Sequence, residues 1–246
     1  MAYKKNVKER KKYISFLQNI RQSKDTNLLR QNFKILKNHK DTIYHLSKLK
    51  DGRLISSSAD KTLKIYTTDT FEVQLSIKEH SNYVFFFTQL KNDNIISCSI
   101  DKTMCIIKLI GEDKYNLEQK LIGHNGTINN VIEIKENELI SVSVDKTMKK
   151  WELKNDKFEC TKTINFQNSE SDCNILKINE NEFVTSSCSD KCLKFWNSND
   201  FSNISTINNI EVEFCFRTLC IINENILCVG GNNSKGFYLI NISNHQ

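Results

Sequence analysis

Three histidines stand at one fixed distance ahead of three aspartates. His39, His80 and His124 precede Asp60, Asp101 and Asp145 by 21 residues each, and Ser56, Ser97 and Ser141 fall four residues before those aspartates. Histidine, serine and carboxylate are the parts of an acid–base relay, in which the carboxylate orients an imidazole that takes a proton from the hydroxyl. One such set would read as an active site. Several sets in phase read as a hydrogen-bonded brace, because a brace is needed in every structural unit and an active site only once. A fourth, weaker copy has Ser186 before Asp190, with Ser169 at the histidine's offset.

The elements that must position these residues repeat with them. Asp-Lys-Thr occurs at Asp60, Asp101 and Asp145, and Asp-Lys-Cys at Asp190, with spacings of 41, 44 and 45 residues. Each aspartate follows a small-residue strand, such as Leu54 to Ser58 or Leu139 to Ser143, and precedes an alternating one, such as Leu63 to Tyr66 or Met148 to Trp151. A further apolar strand and a polar turn lie between histidine and aspartate, as in Ile43 to Leu49 followed by Lys50-Asp51-Gly52-Arg53. Short strands bounded by Gly, Asn and Asp turns at this spacing predict an all-β protein with several hairpins per repeat. The chain contains no proline, so its turns are expected to be made with Asn, Asp and Gly.

A period of 40–45 residues, with histidine in one loop and aspartate in a tight turn, resembles the WD-repeat family over about residues 32–242. The resemblance implies β-propeller blades of four antiparallel strands, stacked so that each buries its neighbours' faces. It also implies a tetrad of loop His, strand Ser or Thr, turn Asp and Trp in every blade. The third repeat has all four in His124, Ser141, Asp145 and Trp151. The first has His39, Ser56 and Asp60 with Tyr66 at the Trp position, and the second has His80, Ser97 and Asp101 with Ile107 there. The fourth keeps Ser186, Asp190 and Trp196.

A fifth, degenerate copy is read from strand pattern alone: Phe214 to Ile222, Asn225 to Val229 and Gly236 to Ile240, with Asn232-Asn233 in the turn. Its missing outer strand could be Phe33-Lys34-Ile35-Leu36, which would close a five-bladed ring. The alternative is an open arc of a larger propeller. Pairing of residues 33–36 with residues 236–242 distinguishes them.

Ahead of the repeats, residues 1–31 lack glycine and proline and are expected to form a basic α-helical segment, leaving 32–246 as the propeller. Tyr13, Phe16, Leu17 and Ile20 recur at the spacing of one helical face. Residues 1–40 carry twelve basic and two acidic side chains, against 23 and 27 in the remainder, so the formal charge of +6 comes from the N-terminal part. The acidic body shows no base-reading motif, which argues against nucleic acid. No run of roughly 18 apolar residues occurs, so no membrane-spanning helix is expected. The odd count of nine cysteines, without a secretory signal, predicts free thiols, with Cys98, Cys188, Cys220 and Cys228 buried in strands. An intracellular location follows, cytoplasmic with the nucleus open.

The expected function is a protein–protein interaction scaffold, with no cofactor, no metal and no catalysis. The family resemblance places partners on the face built by the His loops and Asp turns, at Ala59, Ile100, Val144 and Ser189 before each aspartate, and at Asp41, Thr42, Asn82, Tyr83, Gly126 and Thr127 after each histidine. Tyr83 and Ile100 are the expected anchors, since exposed aromatic and aliphatic side chains supply interface hot spots. The alternative is the substrate-recognition subunit of a larger complex such as a ubiquitin ligase, docked through the N-terminal segment. Self-association through an open propeller edge or that segment is also expected.

Overall fold

The computed structural model describes residues 35–166, 174–187, 192–208, 216–231 and 237–243. It divides into two units, Met1–Asn38 and His39–Gln246. All five sheets belong to the second unit.

Blade one consists of β1 (Ile43–Lys48), β2 (Leu54–Ser58), β3 (Leu63–Tyr66) and β4 (Val73–Ile77). Blade two holds β5 (Val84–Gln89), β6 (Ile95–Ser99), β7 (Thr103–Ile110) and β8 (Lys114–Ile122). Blade three is built from β9 (Ile128–Lys135), β10 (Glu138–Ser143), β11 (Thr147–Lys154) and β12 (Lys157–Asn165). Blade four contains β13 (Asn174–Lys177), β14 (Glu182–Ser187), β15 (Cys192–Asn197) and β16 (Asn203–Ile207). Blade five has β17 (Phe216–Asn223), β18 (Ile226–Gly231) and β19 (Phe237–Asn241). Every blade is an antiparallel meander in chain order. Among the described residues the fold is an all-β propeller of five blades.

Consecutive blades meet through their first strands, β1 against β5, β5 against β9, β9 against β13 and β13 against β17. Alternation along each strand gives blades two to four one face toward the preceding blade and one toward the following blade. Between blades one and two, Ile55, Leu63 and Ile65 pack on Val84, Phe87 and Ile107. Ile96, Met104 and Ile106 then meet Val131, Leu139 and Trp151, Ile140 and Met148 meet Phe183 and Trp196, and Val184 and Phe195 meet Leu227 and Val229. Burying each such aliphatic side chain contributes about 1.5–3 kcal/mol relative to exposure. The serines of the second strands, Ser56, Ser97 and Ser141, are buried in the same layers.

Two expectations are corrected here. The fold was expected to begin with an α-helical segment over residues 1–31, yet the described residues hold strands and turns and no helix; residues 1–34 lie outside them. The turns are not left to Asn, Asp and Gly, because Lys61, Lys102, Lys146, Phe71 and Phe201 also take positive φ. The lysines occupy the middle of each Asp-Lys-Thr turn at φ 66–71°, a left-handed conformation held there by the hydrogen bonds described below.

Of the expected ring-closing strand, Phe33 and Lys34 lie outside the described residues, and Ile35 and Leu36 form no strand. Among the described residues β19 has no fourth strand beside it. Cys98 and Cys105 are buried free thiols and Cys192 is buried, whereas Cys220 is exposed rather than buried. Burial pushes the Cys105 thiol up to about 12. Cys188 lies outside the described residues.

Candidate functional site

In blade three the four tetrad residues join into one chain of hydrogen bonds. The Trp151 indole N–H donates to Ser141 Oγ at 2.9 Å, Ser141 Oγ lies 2.7 Å from His124 Nε2, and His124 Nδ1 lies 2.8 Å from Asp145 Oδ2. The direction of the protons follows from the ends. An indole only donates and a carboxylate only accepts, so Ser141 donates to Nε2 and His124 carries its proton on Nδ1. A neutral imidazole suits this burial, and burial indeed lowers the His124 pKa.

Blade one repeats the chain, with His39 Nδ1 2.8 Å from Asp60 and Nε2 2.6 Å from Ser56 Oγ; the Tyr66 hydroxyl, 3.1 Å from Ser56, stands where the indole would. In blade two the corresponding distances from His80 to Asp101 and Ser97 are both 2.9 Å. There the chain stops, because Ile107 is aliphatic and buried among the residues of blade one.

Each aspartate is saturated with donors. Oδ1 of Asp60 accepts from the Thr62 hydroxyl at 2.6 Å and the Thr62 N–H, while Oδ2 accepts from His39 and from the Lys40 N–H. Asp101 is held likewise by Thr103, His80 and Ser81, and Asp145 by Thr147, His124 and Asn125. Burial alone would raise these carboxyl pKa values. The donors more than offset it, and all three aspartates are held below the ordinary carboxylate range. The threonine of Asp-Lys-Thr is thus a fifth member of the brace that the spacing argument missed. Its signal was present, since the threonine recurs at Thr62, Thr103 and Thr147 beside every braced aspartate.

Blade four departs from the expected pattern. The Trp196 indole donates to Thr185 Oγ1 at 2.8 Å, not to Ser186, whose hydroxyl is buried without a partner among the described residues. The cause is register. Ser141 pairs with Lys149 across the β10–β11 hairpin and Thr185 with Lys194 across the β14–β15 hairpin, one residue more between the paired positions. A one-residue slip in a strand moves a side chain to the opposite face. Asp190 lies outside the described residues.

The Ser–His–Asp connectivity matches that of a hydrolase relay atom for atom. Accessibility decides against that reading: Ser56, Ser97 and Ser141 are 0% exposed, so no substrate carbonyl reaches a nucleophile.

Most of the expected partner-face residues share one end of the blades and are tied in pairs. The Ala59 N–H donates to the Thr42 carbonyl, Ile100 to Tyr83 and Val144 to Thr127. Asp41, Thr42 and Tyr83 are exposed, Asn82, Ile100, Gly126, Thr127 and Val144 are half-buried, and Ala59 is buried. A side chain at Gly126 would meet the Asp145 backbone nitrogen at 2.8 Å, so this position serves close packing of the loop on the turn. Ser189 lies outside the described residues. Beside Tyr83, the expectation missed Tyr44 and Phe85. Tyr44 packs edge-on against Phe85, with ring centroids 4.6 Å apart, and lies 6.3 Å from the Tyr83 ring.

Residues 30–67, which span the first His–Ser–Asp set, match the family described as WD domain, G-beta repeat. This stretch of the chain is similar to one WD repeat. Blades two to four extend the same strand order beyond the matched segment, and blades two and three the same His–Ser–Asp brace. No curated protein matches the chain. WD-repeat propellers typically serve as protein-interaction scaffolds. Among the described residues no group of three or more His, Cys, Asp and Glu side chains is arranged to hold a metal ion.

Proposed function

We propose that this WD-repeat scaffold receives its partners on blades one and two, at the end that carries the His loops and Asp turns. The observation that carries the reading is the Tyr44–Tyr83–Phe85 cluster, in which Tyr44 and Tyr83 are 41% and 36% exposed. Aromatic rings half out of a rigid framework supply much contact area with little entropy left to lose on binding. Lys61, Lys102 and Lys146 stand exposed in the turns at the same end, which favours an acidic segment with an apolar anchor as the partner.

The test is affinity capture from the host with the wild type, Tyr83→Ala, Tyr44→Ala, and Lys157→Ala as a control on the β11–β12 hairpin. The reading predicts that both tyrosine variants lose most of the partners retained by wild type and control. An unchanged partner set in Tyr44→Ala and Tyr83→Ala would contradict it.

A further inference from the structure

The packing between blades repeats four times, and one half of it is left over at each end. Leu46 on β1 pairs with Ser56 as Phe87, Val131 and Ile175 pair with Ser97, Ser141 and Thr185, so the four occupy one equivalent position. In blades two to four that position is at most 2% exposed; Leu46 is 55% exposed. The position of Ile43, opposite Ser58, behaves alike: Val84 and Ile128 are shut, and Ile43 is 49% exposed.

The opposite face is bare in blade five. Phe237 on β19 pairs with Gly230 as Leu63, Met104, Met148 and Leu193 pair with their neighbours on the second strands. Those four are buried to within 1%, and Phe237 is 66% exposed. Leu239 stands where Ile65, Ile106 and Phe195 are buried, and is 60% exposed. Cys220, on the same face through its pairing with Cys228, is exposed too.

We propose that these faces bind each other between two copies of this chain, blade five of one copy packing on blade one of the next. The occupant follows from complementarity. The boundaries between blades one and two and between blades two and three join the Phe237- and Leu239-type positions of one blade (Leu63 and Ile65, Met104 and Ile106) to the next blade's Ile43- and Leu46-type positions (Val84 and Phe87, Ile128 and Val131). A copy of this chain offers both halves, at opposite ends. Since all four residues are open, they do not cover one another within one chain. The contact is heterologous, so copies add head to tail, ending in a closed ring or continuing as a filament.

The test is the solution mass from light scattering over a concentration series, for the wild type, Leu46→Glu, Phe237→Glu and an equimolar mixture of the two variants. Both positions face solvent, and a thermal melt verifies folding; Leu239→Glu replaces Phe237→Glu if the latter unfolds. The wild-type mass should rise with concentration to twice 28.6 kDa or beyond, while each variant alone stays at one chain mass. The mixture should form a two-chain species and nothing larger, because one variant keeps an intact blade five, the other an intact blade one, and the remaining ends are blocked. A wild type that stays monomeric, variants that associate as the wild type does, or a mixture that stays monomeric would each overturn the proposal.

Discussion

Blades two and three share the same strands and the same His–Ser–Asp core, yet their braces end differently. In blade three the chain of hydrogen bonds runs on to the Trp151 indole; in blade two Ile107 ends it against apolar neighbours. His80, Ser97 and Asp101 nevertheless hold the same geometry as His124, Ser141 and Asp145. The loop and turn are therefore locked by three side chains and a threonine. The aromatic member adds packing and one more donor.

The largest effect expected from this contrast is at Trp151 itself. Trp151→Ala should cost about 3–5 kcal/mol in urea unfolding, the usual range for removing a buried aromatic side chain. Trp151→Phe should cost about 1 kcal/mol, the net worth of one neutral hydrogen bond. Equal losses for the two variants would mean that the indole donor, not the packing, carries the residue.

Acid should act next, through the ionisable members. The folded-state pKa values of Asp60, Asp101 and Asp145 are depressed, so the stability they contribute is complete above the unfolded value of about 4 and is lost as pH falls through the folded values. The His124 value is lowered too, so the unfolded chain takes up a proton first and stability declines as pH drops below about 6.5. On acidification, unfolding midpoints should fall first through the histidine, below about pH 6.5, and then through the aspartates, below about pH 4, and Asp145→Asn should flatten the lower limb. A midpoint that rises on acidification would contradict both assignments.

The smallest expected effects separate two adjacent residues in blade four. Thr185→Val should lose about 1 kcal/mol with the Trp196 hydrogen bond. Ser186→Ala, which removes a buried hydroxyl without a partner among the described residues, should stay within about 0.5 kcal/mol of the wild type or gain slightly. The reverse order, measured by thermal unfolding, would restore the register inferred by counting back from Asp190.

That register shows where reading the chain stops working. The braces of blades one to three were legible because polar residues recur at constant offsets, and a constant offset between histidine and aspartate implies a constant hairpin. In blade four the same counting selected Ser186, because one added residue in the hairpin is invisible until the strands are paired. The five strand sets were legible for a similar reason, since each is an alternating apolar run bounded by polar turns. The bare faces of blades one and five were not. Ile43 and Leu46 have the same apolar character as their buried counterparts, and whether a neighbour covers them is a property of packing rather than of local pattern. Nor were the left-handed lysines legible, since their conformation is imposed by the donors that gather on each aspartate.

The central claim is that every His–Ser–Asp set is a brace, and parallel equilibrium unfolding of Asp60→Asn, Asp101→Asn and Asp145→Asn at neutral pH tests it most directly. All three should lose about 1.5–3 kcal/mol, the worth of hydrogen bonds to a charged group. A variant as stable as the wild type would contradict a structural role for that aspartate.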